Sequence, residues 1–404
     1  MHIQKSRVLV LLLVALPARG FAADYGVAID RGVRWLLSHQ NPDGGFGPYG
    51  EEDYLRLKKT SDLGITAFAL YGLAKNLSTL KAADNPSISQ AVDFLLARQQ
   101  DSGGFYDKKD PTLQNYKTSV ALLALNTLGS VEYAGPVGKA KAFIKKQQFG
   151  VTGGDAQSES VNFGGIGYGS REKRPDLSNS QFAAEALGES GVSGSDDLWK
   201  RLVVFVSRCQ NAESVDPLLQ EQKIGTTRDG GFRYGPDKTR GPTETLDDGV
   251  QVFSSYGSMT YAALKTLLYA YVQKRDPVVR QAFAWISRNF TVRENPGMAT
   301  RQNPKAGLEG LYYYYHTMAK TLALYGEPII KDGRGVEHHW ATELGDHLVA
   351  LQKKDGSWQN TSERWWEKIA ALDTAYAIVA LAECQVQVGR EREAAGAGPG
   401  DGEK

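Results

Sequence analysis

Length, composition and charge exclude several classes of protein. The chain has 404 residues, and 47 Lys and Arg residues nearly balance 46 Asp and Glu residues, so nucleic-acid binding by counterion release is not expected. A hydrophobic content of 41% is enough to build a core, which excludes disorder of the whole chain. Length alone, at about 150 residues per domain, predicts two or three domains.

The first 22 residues have the pattern of a secretory signal peptide. Lys5 and Arg7 precede the apolar run from Val8 to Leu16, and small residues follow up to Ala22. This run is too short to cross a membrane, because a spanning helix needs about 20 residues. We therefore predict cleavage near Ala22 and export to the periplasm or the extracellular space, with no transmembrane span.

The C-terminal residues and the cysteines set the limits of the folded part. Residues 389–404 are rich in Gly, Ala and charged residues and lack an apolar period, so a disordered tail is predicted. Cys209 and Cys384 are far apart in the sequence, and neither a disulfide framework nor a thiolate metal site is expected. The folded part is thus predicted to span residues 24–388.

The chain aligns on itself as six units of two helices each, so the repeat overrides the domain estimate. In four units the first helix carries an aromatic–aliphatic pair followed by Gln. The fifth unit has Asn289 in place of the Gln, and the sixth lacks the aromatic residue. In three units Gly and an aromatic residue follow the Gln at identical offsets, in the sets Gln40-Gly44-Phe46, Gln99-Gly103-Phe105 and Gln352-Gly356-Trp358.

The second helix of each unit has its own repeated column. A hydroxyl residue is followed by Leu seven positions later, in the pairs Thr66/Leu73, Thr118/Leu125, Ser180/Leu187, Thr260/Leu267, Thr317/Leu324 and Thr374/Leu381. First helices are apolar on one face, whereas second helices are apolar nearly all round, which is typical of helices enclosed by others. The repeats therefore predict an all-α fold, an α/α toroid with six inner and six outer helices built from six helical hairpins.

The repeated run aromatic-Leu-x3-Gln-x3-Gly-x-aromatic resembles the QW motif of squalene and oxidosqualene cyclases, which is also recognisable in protein prenyltransferase β subunits. The stretches Tyr256–Tyr261, Tyr313–Thr317 and Arg364–Trp366 are similar to those of secreted bacterial squalene-cyclase-like or prenyltransferase-repeat proteins. The resemblance covers most of residues 24–388 and implies a toroid with a central apolar cavity. It does not by itself imply catalysis.

The resemblance also implies where a cyclase would carry its acid. Cyclases of the squalene–hopene type protonate an alkene with an Asp-x-Asp-Asp motif, but here only Asp176 is kept, and Ser178 and Asn179 replace the other two carboxylates. Neither a hydroxyl nor an amide is acidic enough for that step. Asp373 begins an Asp-Thr-Ala stretch, which matches the end of the cyclase motif. Asp176 and Asp373 are thus candidate catalytic residues, and each is also explained as a helix N-cap.

Prenyltransferase chemistry would need zinc. His316 resembles the zinc-binding His of that family, but Ser258-Met259-Thr260 stands where an Asp-x-Cys pair would supply two further ligands. These side chains are poor zinc ligands, so no metal and no other cofactor is predicted. His316 is then either a hydrogen-bonded wall residue or a ligand-binding or catalytic residue.

Aromatic residues near the starts of the second helices are the candidate ligand-binding residues. Aromatic faces suit an apolar or cationic ligand, and they equally suit core packing. The candidates, with one amide residue at the degenerate acid motif, are Tyr256, Tyr261, Tyr314, Tyr315, Trp365, Trp366 and Asn179.

The sequence leaves three functions open. The first is binding of an elongated, isoprenoid-like apolar ligand in the central cavity, without proton-initiated cyclisation. The second is a terpenoid-cyclase-type enzyme with an atypical acid, and the third is a polysaccharide lyase or glycosidase on the same architecture. Export favours the first and third, because prenyl diphosphates are kept inside the cell. The predicted partner is an apolar small molecule or lipid and not a nucleic acid, and the sequence leaves peripheral membrane contact open.

Overall fold

The computed structural model of the chain describes residues 24–48, 61–76, 85–150, 160–169 and 172–396. The predicted signal peptide lies outside these residues. The described part contains thirteen α-helices, which are, in chain order, α1 (Gly26–Ser38), α2 (Leu63–Lys75), α3 (Pro86–Leu96), α4 (Gln114–Leu128), α5 (Ala134–Lys146), α6 (Leu177–Glu189), α7 (Asp197–Arg208), α8 (Pro217–Glu221), α9 (Gly257–Tyr269), α10 (Pro277–Arg288), α11 (Leu311–Tyr325), α12 (Trp340–Leu351) and α13 (Ala370–Gly396).

Six helices form a closed inner ring. Helices α2, α4, α6, α9, α11 and α13 each pack against the next, and α13 packs against α2. Every residue of α2 from Leu63 to Ala74 is buried, because a helix enclosed on all sides has no face left for polar side chains. The predicted all-α toroid is therefore confirmed.

Six further helices form the outer ring. Helices α1 and α12 pack against α13, α3 against α2, α5 against α4, and α7 and α10 against α9. These helices are amphipathic, as the sequence predicts: α7 buries Leu198, Leu202 and Phe205 on one face and exposes charged residues on the other. Short α8 lies in the long connection between α7 and α9.

The Gln that recurs after the first helix of a unit forms hydrogen bonds between neighbouring units. In five units its Nε2 donates one hydrogen bond to the carbonyl of a turn glycine and a second to a carbonyl near the start of an outer helix. The pairs of acceptors are Gly44 and Ser87 for Gln40, Gly103 and Pro136 for Gln99, Gly164 and Leu198 for Gln148, Gly230 and Val278 for Gln210, and Gly356 and Ala28 for Gln352. Each Gln therefore joins one unit to the next.

The hydroxyl column joins the same turns to the inner ring. In five units the hydroxyl oxygen accepts a hydrogen bond from the backbone N–H of a turn residue, in the pairs Thr66 with Phe46, Thr118 with Phe105, Ser180 with Ile166, Thr260 with Phe232 and Thr374 with Trp358. The turn glycine itself cannot be replaced without strain: Gly103 has φ +92°, and an added Cβ would lie 2.3 Å from the carbonyl oxygen of Lys139.

Three short antiparallel hairpins complete the described part. Strand β1 (Gly167–Gly169) pairs with β2 (Glu172–Pro175), β3 (Thr243–Thr245) with β4 (Gln251–Phe253), and β5 (Ile329–Lys331) with β6 (Glu337–His339). The first two hairpins lie in the two longest connections, which lead into α6 and α9. These connections end at the mouth of the inner ring.

The C-terminal boundary differs from the predicted one. The last helix continues to Gly396, so residues 389–396 are helical and the predicted disordered tail is wrong for that stretch. Residues 387–393 contain helix-forming Gln, Arg and Glu, and Gln387 donates to Glu391 one turn later at 3.0 Å. Residues 397–404 lie outside the described residues.

Three further features of the described residues concern membrane-spanning helices, thiols and metal-binding clusters. Within the described ranges, no helix combines the length and the apolar character needed to cross a bilayer. Cys209 and Cys384 are both buried free thiols. The same ranges contain no group of three or more His, Cys, Asp or Glu side chains arranged to hold a metal ion.

Candidate functional site

A cavity opens at the end of the inner ring where the inner helices begin. Its volume is about 550 Å³, within the range of about 300–1,000 Å³ that is common for small-molecule sites. The first turns of the inner helices and both long connections line it. Among the described residues that line it, the charged ones are Arg240 and Glu367. Eight lining residues are aromatic, namely Tyr116, Tyr168, Tyr234, Tyr256, Tyr313, Tyr376, Trp365 and Trp366.

The phenol groups of the wall pair with one another. The hydroxyls of Tyr116 and Tyr376 are 2.9 Å apart, and those of Tyr168 and Tyr234 are 2.7 Å apart. Burial raises the pKa of Tyr116 above its ordinary value, so the phenol stays neutral. Because the polar tips satisfy one another, the rings present mainly their apolar faces to the cavity.

One column of the repeat points into the cavity. The residue two positions before the repeated hydroxyl lines the cavity in four units, as Tyr116, Ser178, Ser258 and Leu372. In α11 the residue two positions before Thr317 is Tyr315, which does not line the cavity, whereas Tyr313, four positions before Thr317, does. The variation of this column between a large aromatic and a small serine shapes the cavity.

Two adjacent tryptophans form a strained rim of the cavity. Trp365 and Trp366 both line the cavity, and their φ values are +56° and +68°. Leu113, on the same wall, has φ +55°. A non-glycine residue in this region costs about 1–2 kcal/mol, and such strain clusters at functional sites. Trp365 also packs over Gly310, where an added Cβ would lie 2.6 Å from its ring.

Asp176 caps a helix next to the cavity. Its Oδ1 accepts from the backbone N–H of Asn179 at 2.8 Å, and its Oδ2 accepts from the Asn179 side-chain amide at 2.9 Å. Burial raises the pKa of Asp176 to about 6. Asn179 lines the cavity, as predicted, whereas Asp176 is not a lining residue. The N-cap interpretation of Asp176 is therefore confirmed.

Glu367 is a buried carboxylate in the wall that the sequence did not single out. Its oxygens accept from the backbone N–H groups of Tyr312 and Tyr313, at the start of α11, and from the side-chain amide of Asn360 at 2.6 Å. It thus caps a helix that belongs to the neighbouring unit. Burial raises the pKa of Glu367 to about 7, although these donors oppose the shift.

Asp373 lies behind Glu367 and does not line the cavity. Its Oδ2 accepts from the backbone N–H of Asn360 at 2.7 Å, and its Oδ1 has no hydrogen-bond partner within the described part of the chain. Burial and the nearby Glu367 carboxylate raise the pKa of Asp373 well above its ordinary value. The carboxyl groups of Glu367 and Asp373 therefore both accept hydrogen bonds from Asn360.

Three predicted ligand-binding tyrosines lie elsewhere. The hydroxyl of Tyr314 donates to the carbonyl of Thr291 at 2.7 Å, and that of Tyr315 donates to the carbonyl of Val292 at 2.9 Å. Tyr261 packs against Tyr314, with ring centroids 5.7 Å apart. These side chains fill the space beside α11 and do not line the cavity. Because Tyr313 faces the cavity, Tyr314 and Tyr315 lie on other faces of the same helix. The prediction is corrected for all three.

His316 lies one turn below the cavity and not in its wall. Its ring contacts Phe68, Phe182 and Tyr376, with centroids 5.8, 6.1 and 5.3 Å away. Neither ring nitrogen has a hydrogen-bond partner among the residues the structure describes, so the predicted hydrogen-bonded role is wrong. Burial lowers the pKa of His316 to about 3, and the ring is neutral. Together these aromatic rings form the floor of the cavity.

A buried ion network occupies the axis beneath that floor. Glu185 forms ion pairs with Lys265 and with Lys320, the latter at 3.2 Å, and Lys320 also pairs with Glu189 at 2.6 Å. Glu185 and Lys265 have no exposed side-chain surface. The two ammonium groups hold the pKa of Glu185 well below its ordinary value despite burial. In the sequence, this network is marked by charged residues within inner helices that are otherwise apolar.

Sequence comparison identifies the repeat. The prenyltransferase α/α-toroid domain model matches two overlapping segments, residues 23–93 and 71–144. These segments contain the first two glutamine turns of the chain. No curated protein sequence matches the chain significantly.

Comparison with solved structures identifies the fold. The type II terpene cyclase MstE from Scytonema superposes with a TM-score of 0.53 at 15% identity, over 90% of this chain and 98% of that one. The GH76A α-1,6-mannanase from Salegentibacter gives a TM-score of 0.56 at 10% identity, over 90% and 99%. An unsaturated glucuronyl hydrolase specific for heparin gives 0.55 at 10% identity, over 91% and 98%.

The architecture is thus shared with both terpene cyclases and sugar-cleaving enzymes. Structural likeness at 10–15% identity shows the fold alone and does not separate these two groups. Residues 23–144 thus match the prenyltransferase α/α-toroid domain model, and the described helices share the closed α/α-ring fold of the type II terpene cyclase MstE.

Proposed function

We propose that the protein binds an elongated, mainly apolar, isoprenoid-like ligand in the central cavity and does not initiate cyclisation by protonation. The observation that carries this proposal is the wall, in which eight aromatic side chains surround about 550 Å³. Burial of apolar ligand surface against such rings would supply most of the binding free energy.

The surroundings of Asp176 support binding without cyclisation. Both of its carboxylate oxygens accept hydrogen bonds from Asn179, and Ser178 and Asn179 occupy the positions where a cyclase would carry further carboxylates. Ser178 shares a hydrogen bond of 3.1 Å with the hydroxyl of Tyr313. The residues that face the ligand at this point are therefore neutral donors and acceptors, which orient a ligand but do not protonate an alkene.

The structural relatives support an isoprenoid-like ligand only through the fold that they share with this chain. A variant of MstE has been solved with geranylgeranyl dihydroxybenzoate as its substrate, so one ring of this architecture holds a prenyl chain. The signal-peptide pattern of residues 1–22 leads us to propose that this protein meets its ligand after export, in the periplasm or outside the cell.

The decisive experiment is mass spectrometry of lipids that co-purify with the protein from its own envelope fraction, with calorimetric titration of the purified protein with farnesol. We expect a prenyl lipid and saturable binding. Met259→Trp should abolish binding, because this buried residue lines the cavity and a larger side chain would fill it. Val386→Trp, on an exposed position of α13, is the matched control and should bind as the wild type does.

The same preparation tests export, since the mass of the mature protein reports whether residues 1–22 are removed. A folded wild-type protein that carries no prenyl lipid and binds no farnesol would contradict the proposal. Unchanged farnesol binding by Met259→Trp would place the ligand outside this cavity.

A second candidate is acid–base catalysis on a sugar, and one observation favours it. Glu367 is a carboxylate in the cavity wall, and its pKa is raised to about 7. Two of the structural relatives are named as enzymes that cleave sugar chains. A glycosidase needs a second carboxylate about 5–9.5 Å away that acts on the substrate. The neighbouring Asp373 lies behind Glu367 and does not line the cavity, which counts against this candidate. Release of reducing sugar from mannan or heparin fragments, lost in Glu367→Gln, would favour this candidate over ligand binding.

A further inference from the structure

We propose that the ligand is amphipathic and that its oxyanionic head group binds Arg240 at the mouth of the cavity. This inference rests on the proposed function and adds the chemical class of the ligand. It starts from the charged residues among the described wall residues: Glu367 accepts hydrogen bonds from three residues, whereas Arg240 interacts with the side chain of Tyr234.

Arg240 is positioned by an aromatic wall. It lies between α8 and β3 in the long connection and is exposed, as expected at a rim. Its guanidinium carbon lies 5.1 Å from the ring centroid of Tyr234. Tyr234 is itself buried and shares a hydrogen bond of 2.7 Å with Tyr168. The guanidinium thus rests on a fixed ring and keeps planar N–H donors available for a carboxylate or a phosphate.

The charges around Arg240 are otherwise balanced. Asp237 pairs with Arg174 at 3.3 Å. Lys238 lies on the same Tyr234 ring, 5.4 Å from its centroid, and its charge acts on the buried carboxylate of Asp176. In the described ranges, no carboxylate oxygen lies within 4.0 Å of the Arg240 guanidinium. A ligand anion would therefore meet a cation whose charge no described acidic residue neutralises at close range.

Glu367 defines the other side of the wall. Its carboxylate already accepts hydrogen bonds from Tyr312, Tyr313 and Asn360, and its negative charge would repel an anionic head. The head group is therefore favoured at Arg240, where it stays hydrated at the rim, and the chain is favoured among the rings. The apolar end would extend toward Tyr116, Tyr376 and Leu372.

The test is calorimetric titration of the full-length mature protein at pH 8 with three ligands that share one chain: farnesol, farnesoic acid and farnesyl monophosphate. We expect the two anions to bind about 5- to 10-fold more tightly than farnesol, as for a charge-assisted contact. Arg240→Gln should remove that preference, so that the three ligands bind with similar affinities. Arg240→Lys should keep most of it, and added salt should reduce it.

Arg34→Gln is the matched control, because this exposed arginine lies on outer helix α1 and pairs there with Asp30. It should leave all three affinities unchanged. Equal binding of farnesol and both anions, with no effect of Arg240→Gln, would overturn the head-group inference and leave the proposed function standing. If none of the three ligands binds to the folded wild type, the proposed function fails and this inference fails with it. The stronger of the two anions would identify the head as a carboxylate or a phosphate.

Discussion

Three buried carboxylates surround the cavity, and their surroundings differ residue by residue. Asp176 caps its own helix, Glu367 caps the helix of a neighbouring unit, and Asp373 keeps one oxygen without a partner in the described part of the chain. Burial raises the pKa of all three. Because Glu367 alone lines the cavity, it is the carboxylate whose protonation a bound ligand would sense.

Glu367 should therefore make stability depend on pH. Its pKa is raised from 4.5 to about 7 in the folded protein, so the folded state binds this proton more tightly than the unfolded state does. The resulting stabilisation is present below pH 4.5 and is lost as the pH rises through 7, by on the order of 3 kcal/mol. In Glu367→Gln, the loss of stability between pH 5 and pH 8, measured by denaturant unfolding, should be smaller than in the wild type.

Glu363→Gln provides the control for this measurement, because Glu363 is an exposed carboxylate in the same segment and pairs with Lys368. It should leave the pH dependence unchanged. Removal of the Glu367 charge also lowers the pKa of the neighbouring Asp373, and this acts in the same direction. Identical pH dependence in the wild type and Glu367→Gln would show that Glu367 titrates normally.

At the scale of the element, two hydrogen-bonding columns hold the turns in five units, and glycine supplies the backbone conformation that these turns need. The Gln amide ties the turn to the next outer helix, and the hydroxyl ties it to the inner helix. Where the fifth unit has Asn289, the shorter amide reaches only the carbonyl of Trp285 in its own helix. The length of the Gln side chain is thus what allows one unit to hold the next.

We expect Gln148→Ala to destabilise the protein by about 2–3 kcal/mol. Gln148 is buried, donates to the carbonyls of Gly164 and Leu198 at 2.9 Å each, and accepts from the Nε of Arg201. Loss of several buried hydrogen bonds at about 1 kcal/mol each accounts for this cost. Denaturant unfolding measures it, with the exposed Gln273→Ala as control. A change below 0.5 kcal/mol, about that of a surface substitution, would contradict the bridging role.

At the scale of the whole molecule, the axis of the ring is layered. Residues one helical turn apart on α6 take part in three successive layers: Asn179 lines the cavity, Phe182 lies in the aromatic floor, and Glu185 lies in the ion network. On α11, steps of three and four residues place Tyr313, His316 and Lys320 in the three layers. The ion network therefore fills the far half of the axis, and the ligand cavity occupies the half at the mouth.

The ion network yields a prediction about stability. Lys265→Met should destabilise the protein by about 3–5 kcal/mol, because Glu185 then loses one of its two buried cationic partners. The double variant Lys265→Met with Glu185→Met should recover a large part of that loss, since Lys320 keeps Glu189 and Glu383 as partners. Unfolding of both single variants and the double variant gives the coupling free energy. Additive effects would show that the two charges do not interact.

Parts of this site were predictable from the sequence, and parts were not. Asn179, Tyr256, Trp365 and Trp366 were predicted and line the cavity. The position two residues before the repeated hydroxyl was available as a signal for Tyr116, yet only the observed register shows that it faces inward. Glu367 carried no sequence signal, because the helix that it caps belongs to another unit.

The sequence by itself determined the ring. Repeated Gln, Gly and hydroxyl residues act through hydrogen bonds within a unit or to the next unit, so their spacing along the chain is enough to reveal them. Tertiary structure alone decided the cavity. Arg240 is far along the chain from Glu367 and Tyr376, and it lines one cavity with them only when the ring closes. The inward turn of Tyr313, not of Tyr314 or Tyr315, depends on how α11 packs against its neighbours.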